Sequence, residues 1–288
     1  MVKKISAQQD AIKYKEHKKN ILNLLKSGQL DAIKESEEYF EIMKHYWLID
    51  NYIAKFGYES EGKPANTLGA YENALKKGYP ILIPVQMLKD GEIICAKDKT
   101  LANSIHVSGY ISNLTLKEVK ETKIIDSEEY VPTLNEAFEL IQGKVPVIIE
   151  VMNEAVVGLT EEKVLQLIEE YKTKFNLVDS VAIMSINPYS LEWFKTQAPW
   201  LPRIIRSGKF KVKTYAGIKA KKLQKLVYAN TLADCDYVCY NANDLPCKRI
   251  NKIKPIGVIA YNVKNQDEYL KVAKYCDNII FENFDPVI

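Results

Sequence analysis

Short apolar runs alternate with longer amphipathic stretches along most of this 288-residue chain. From Tyr52 onward the runs are Tyr52–Ala54, Ile81–Val85, Val147–Val151, Val181–Ile186, Arg203–Arg206, Tyr237–Tyr240, Ile256–Tyr261 and Asn278–Phe281. Helical periodicity follows most of them, at Thr67–Lys77, Thr160–Lys174, Pro188–Ala198, Ala220–Ala229 and Asn265–Tyr275. A strand that is apolar throughout is buried on both faces, and helices between such strands cover a parallel sheet. Eight such runs predict an α/β fold of the closed (β/α)8 kind, a TIM barrel. The alternation breaks between about residues 90 and 130. A turn (Lys89-Asp90-Gly91-Glu92), a Ser108-Gly109 loop and a short helix from Leu116 predict a small insertion after the second strand.

Two helical patterns precede the barrel. Ser6 to Gln9 has capping-box spacing, with Ile12, Ile21, Leu22, Leu24 and Leu25 following before Gly28. From about Leu30 to Tyr46, Ile33, Phe40, Met43 and Trp47 form one stripe. The first helix is rich in lysine and the second in glutamate, which fits either an antiparallel hairpin packed on the main body or two solvated faces. The expected division is a helical hairpin over residues 1–48 and a barrel over 49–288. The hairpin is a candidate contact for a homo-oligomer.

Composition narrows the function classes. The chain is 47% apolar and 27% charged, as in ordinary globular domains. Its net charge of +3 gives no argument for nucleic acid. No apolar run reaches the roughly 18 residues of a membrane-spanning helix. Residues 1–8 lack the apolar core of a signal peptide. The five cysteines (Cys95, Cys235, Cys239, Cys247, Cys276) form no C-x-x-C pair. Together these predict a cytoplasmic protein.

Barrels carry function at the C-terminal ends of their strands. The polar residues predicted there are Lys55, Lys97, Glu150, Asn153, Ser185 and Asn187, then Arg206, Asn241, Tyr261, Asn262, Glu282 and Asn283. This rim is cationic and rich in amides. The three histidines, His17, His45 and His106, fall on the leading helices and in the insertion.

Several segments recur in a fixed order: Pro64-Ala65-Asn66-Thr67, Val85 to Gly91, Asp98 to Leu101, Ser108 to Glu118, Val131 to Glu136, and Ile148 to Val151. With the closing segment from Asn262 to Phe284, they resemble the glycerophosphodiester phosphodiesterase family. The resemblance implies hydrolysis of glycerophosphodiesters to glycerol 3-phosphate and an alcohol, with a divalent metal and two histidines. It also shows where this chain departs from the pattern. Lys55-Phe56-Gly57 stands where the family has His-Arg-Gly, and Ala65 where it has a glutamate. Leu82 and Pro84 replace two metal-binding carboxylates, and Lys97 replaces the second histidine. Of the third-strand Glu-x-Lys only Glu150 is kept, with Met152 in place of the lysine.

A hard divalent cation takes several oxygen ligands. Glu150 is the one retained ligand position, so neither metal nor other cofactor is expected. Lysine stays protonated where histidine titrates, so the acid–base pair is lost as well. The expected function is a degenerate relative that binds a phosphate-containing or other anionic ligand, or a protein partner. Lys55, Lys97, Glu150, Arg206, Asn187 and Tyr261 are the candidate binding residues. One alternative is an active phosphoric diester hydrolase with a rebuilt catalytic set and Mg or Ca. Another is a purely structural role.

Overall fold

The computed structural model describes residues 46–153, 156–209, 214–215, 218–219, 233–252 and 257–287. The predicted hairpin before residue 46 and the predicted helix at 220–229 lie outside them. In chain order the barrel begins with β1 (Ile53–Lys55), α1 (Leu68–Lys76) and β2 (Ile81–Met87). Next come β3 (Ile93–Cys95), α2 (Ala102–Ile105), α3 (Leu116–Lys120), α4 (Leu134–Ile141) and β4 (Val147–Val151). Then follow α5 (Leu159–Lys174), β5 (Val181–Ser185), α6 (Pro188–Gln197) and β6 (Arg203–Ser207). Beyond a small antiparallel ribbon, β7 (Thr214–Tyr215) with β8 (Ile218–Lys219), the chain adds β9 (Tyr237–Asn241), β10 (Gly257–Val263), α7 (Gln266–Val272) and β11 (Asn278–Phe281).

Each of the eight predicted runs is a strand. They pair in parallel around the order β1-β2-β4-β5-β6-β9-β10-β11, and β1 pairs with both β2 and β11, which closes a TIM barrel. The period-2 geometry of a strand sorts its side chains into two layers. Ile81, Ile83 and Val85 point outward to a layer shared with Leu134, Phe138 and Val164 of the helices. Leu82, Ile148, Met184, Ile204, Cys239 and Ile259 point inward and fill the barrel. Each large aliphatic side chain so buried contributes roughly 1.5–3 kcal/mol. Residues 46–50 form a helical turn that seals the N-terminal end. Trp47, Leu48 and Ile49 join the inner cluster, and Asn278 Nδ2 donates to Leu48 O at 2.9 Å and to Asn51 O at 2.8 Å.

The stretch after β2 folds over the opposite end. β3 pairs antiparallel with β2 across the predicted turn, where Leu88 N donates to Glu92 O at 2.8 Å. Leu88, Ile94, Leu101, Ile105, Ile111 and Val119 form a separate small core beneath α2 and α3. α3 starts on a capping box, in which Thr115 Oγ1 accepts from Glu118 N while the Glu118 carboxylate accepts from Thr115 N. This covering piece brings Lys97 to the barrel mouth.

Candidate functional site at the barrel mouth

The inward phase of the strands determines what reaches the mouth. On β1, Ile53 points inward, so Lys55, two residues on, does too. The same step carries Ile148 to Glu150, Ile204 to Arg206, Ile259 to Tyr261 and Ile280 to Glu282. Polar groups therefore ring one level, just above the apolar filling of the barrel. They line a cavity of about 550 Å3 whose floor includes Leu82 and Met184.

Lys55 Nζ donates to Asn262 Oδ1 at 2.7 Å and to Glu282 Oε1. Glu150 is 1% exposed and lies against Arg206, with Oε1 2.8 Å from Nε in an ion pair that is poorly aligned as a hydrogen bond. The Arg206 guanidinium also faces the Tyr261 ring, 5.8 Å from its centroid. Phe56, whose φ of +63° turns the chain out of β1, sets its ring near both lysines. Lys55 Nζ is 5.0 Å and Lys97 Nζ 6.0 Å from the ring centroid. Lys97 is exposed, and among the described residues no carboxylate pairs with it. Lys264 completes the rim, 4.0 Å from the second oxygen of Glu282. Four basic side chains thus face two carboxylates.

Burial lowers the pKa of Lys55, and the nearby Lys97 charge lowers it further, while Glu282 and Glu150 pull it back up. Burial raises the Tyr261 phenol, with Arg206 opposing. Burial also pushes the Cys239 thiol beneath the pair well up, so it is an inert filler.

Five of the six candidate residues, Lys55, Lys97, Glu150, Arg206 and Tyr261, line this one cavity. Asn187 does not. It is the N-cap of α6, accepting from Tyr189 N at 3.1 Å and lying within hydrogen-bond reach of Asn153 O at 3.4 Å. Its position before Pro188 is the signal for that structural role. Glu282 and Asn262, both on the predicted rim, emerge as the partners of Lys55. Phe56 and Lys264 also line the mouth, although sequence reasoning did not single them out. A wider cavity of about 610 Å3 lies on the flank, lined by Lys63, Lys120, Glu129 and Glu136. Its lysines are engaged, Lys63 with Glu72 at 2.9 Å and Lys120 with Glu136 at 2.5 Å.

The barrel's closed order and the ring of residues at its C-terminal end can be set beside known proteins. The model of the glycerophosphoryl diester phosphodiesterase family matches residues 57–285. The chain belongs to that family. A glycerophosphodiester phosphodiesterase of Caldanaerobacter subterraneus subsp. tengcongensis is 35% identical over 153 residues, which is 50% of this chain and 61% of that relative. The match therefore spans only about three fifths of that relative's length. YhdW of Bacillus subtilis (strain 168) is 25% identical over 235 residues, 78% of this chain and 91% of its own. An Oleispira antarctica phosphodiesterase, solved in complex with the product sn-glycerol-3-phosphate, superposes with a TM-score of 0.63 at 21% identity, covering 83% of this chain and 94% of its own. A glycerophosphodiester phosphodiesterase from Agrobacterium tumefaciens str. C58 gives 0.60 at 16% identity, covering 80% and 95%. At these identities the structures speak for the fold alone.

Members of the family are expected to hold a divalent metal at the mouth, and the residues present here can be tested for that fit. On β2 the inward residue is Leu82, and the next inward position is Pro84, which offers no side-chain oxygen. The Glu150 carboxylate is taken by Arg206. Among the described residues no three histidine, cysteine or acidic side chains come close enough to share an ion. The second carboxylate of the mouth, Glu282, is likewise paired, with Lys55 and Lys264, and two carboxylates opposed by bases do not match the oxygen-rich shell of a hard cation.

Proposed function

We propose that the barrel mouth binds a phosphate-bearing small molecule and does not hydrolyse it by the family's metal-assisted route. The observation carrying this reading is that Lys55 and Lys97 both line one cavity, each within about 6 Å of the Phe56 ring. The resemblance puts the family's two histidines at these positions. Two ammonium groups held near one another repel, and an anion between them relieves that repulsion. Glu282 is a displaceable counter-ion: it is partly exposed and lies between Lys55 and Lys264. An incoming phosphate takes over Lys55, and the Glu282 carboxylate turns toward Lys264. Arg206 adds a planar fork at the back of the cavity, suited to phosphate oxygens.

Hydrolysis needs a group that gives and takes a proton near neutrality. None of the residues lining the mouth is a histidine. Burial lowers the pKa of Lys55, but its nitrogen donates to the Glu282 carboxylate, which opposes loss of its proton and leaves it poorly placed as a base. The test is thermal stability with phosphate, sulfate and glycerol 3-phosphate, in the wild type and in the Lys55→Ala/Lys97→Ala variant. A rise in Tm with anion concentration, lost in the variant, is expected. No rise in either protein overturns the reading.

A second reading, an active phosphoric diester hydrolase, draws on the 35% identity to a named phosphodiesterase and on the lowered pKa of Lys55. Release of glycerol 3-phosphate from glycerophosphocholine, stimulated by Mg or Ca and abolished by Glu150→Gln, would establish it and sink the first.

A further inference from the structure

Lys55 is placed unlike the other lysines of the mouth. Its side chain is 14% exposed, whereas that of Lys264 is 62% exposed and Lys97 also stands in solvent. Two of its three ammonium hydrogens are held, one by Asn262 Oδ1 at 2.7 Å and one by Glu282. The nitrogen thus has a fixed place in a cavity whose lining includes the apolar Leu82, Met184 and Phe56. Burial first, and then the Lys97 charge, loosen its hold on the proton, against the pull of Glu282 and Glu150. A lysine that is desolvated and set near another cation is the kind that attacks a carbonyl carbon.

We propose that Lys55 forms a Schiff base with an aldehyde or ketone that carries a phosphate group. The proposal rests on the anion-binding reading above for the phosphate and gives Lys55 a second role. A simple anion meets Lys55 itself, while a longer ester leaves its phosphate with Lys97 and Arg206 and presents its carbonyl to Lys55.

The carboxylate that opposes loss of the Lys55 proton is also the group to which that proton can pass. Nζ gives one proton to Glu282, and the freed lone pair forms the C–N bond while the carbonyl π pair moves to oxygen. That oxygen takes the proton back from Glu282 and becomes a hydroxyl. A second proton travels from nitrogen through Glu282 to the hydroxyl, which leaves as water while the nitrogen lone pair closes the C=N bond. Ammonium and carbonyl have become iminium and water, and Glu282 ends as it began. The iminium keeps the positive charge, so its pairing with Glu282 survives the reaction. The apolar lining limits the water that would reverse it.

Incubation of the full chain with glyceraldehyde 3-phosphate and sodium cyanoborohydride tests the proposal, since the hydride fixes an imine as a stable amine. Peptide mapping compares labelling at Lys55 with that at Lys76, an exposed lysine of α1. Lys55 is expected to react about tenfold faster, and glyceraldehyde without phosphate should show no such preference. Inorganic phosphate should slow the reaction at Lys55 and not at Lys76. Lys55→Arg keeps the charge and should abolish the phosphate-dependent adduct, whose persistence on Lys97 would overturn the assignment. Labelling of Lys55 no faster than Lys76 overturns the Schiff base, and where phosphate still raises Tm the mouth reading stands. Equal labelling of Lys55 by both aldehydes, unaffected by phosphate, overturns both.

Discussion

Lys55 closes its hydrogen bond on Glu282 across 227 residues of sequence, joining the first barrel strand to the end of the last. The bond partly offsets the cost of bringing an ammonium group out of water, and the lowered pKa of Lys55 measures what is left uncompensated. The charged form is the penalised one. Between the lowered pKa and the ordinary lysine value of about 10.4, the unfolded chain therefore binds more protons than the folded one. The contribution of Lys55 to stability thus rises with pH across that window and is least favourable below it. Lys55→Met is expected to raise Tm at neutral pH, with the gain shrinking as pH climbs toward 11. Melting curves of both proteins from pH 7 to 11 check this, and a gain independent of pH contradicts it.

Glu282→Gln takes away the strongest influence that holds Lys55 protonated. The amine should then titrate lower and react faster with an acylating reagent near neutrality. Peptide mapping after brief acetylation gives the rate at Lys55, and an unchanged rate would place the control of its protonation elsewhere.

Arg206 and Glu150 form a different kind of pair, since the carboxylate is almost wholly buried. Removing one partner from such a pair leaves an uncompensated charge, at a cost of about 3–5 kcal/mol. Arg206→Met is expected to lose that much in urea unfolding, while Arg206→Met/Glu150→Leu recovers most of it. Equal losses in the single and double variants would show that the guanidinium acts through its other contacts.

Gly57 lets the chain leave β1 toward α1. Its φ is +88°, and a Cβ there would sit 2.7 Å from the carbonyl carbon of Ala70. Left-handed strain alone costs about 1–3 kcal/mol, and the contact with backbone adds to it. Gly57→Ala should destabilise the protein by more than about 2 kcal/mol in chemical denaturation.

The strands were legible because each is buried on both faces and reads as a continuous apolar run. The site was legible in part for a related reason: a residue two positions beyond an inward-facing one faces inward too. Pairing was not legible, because nothing local says that Lys55 meets Glu282, or that Arg206 and not a lysine takes Glu150. Both pairs depend on strand neighbours far apart in sequence. Asn187 was misplaced because an asparagine at the end of a strand reads equally well as a rim residue and as a helix cap. α4 was missed although its signal is present. Thr133 and Glu136 make a reciprocal capping box, with Thr133 N donating to Glu136 Oε2 at 2.7 Å and Glu136 N to Thr133 Oγ1 at 3.1 Å. Only eight residues long, this helix gives little periodicity to detect. Thr133→Ala should cost about 1 kcal/mol, read from thermal unfolding.

The pairing of β1 with both β2 and β11 has a consequence for how the protein is made. A ribosome delivers β1 early, and its outer edge stays open until the last strand emerges some two hundred residues later. Through that interval Lys55 lacks its partner Glu282, and a row of backbone donors and acceptors is exposed to any passing strand. Docking of β11 is then the step that covers this edge and completes the ring of polar side chains at the mouth together. A nascent chain halted before residue 278 would keep a sticky edge and an unfinished mouth.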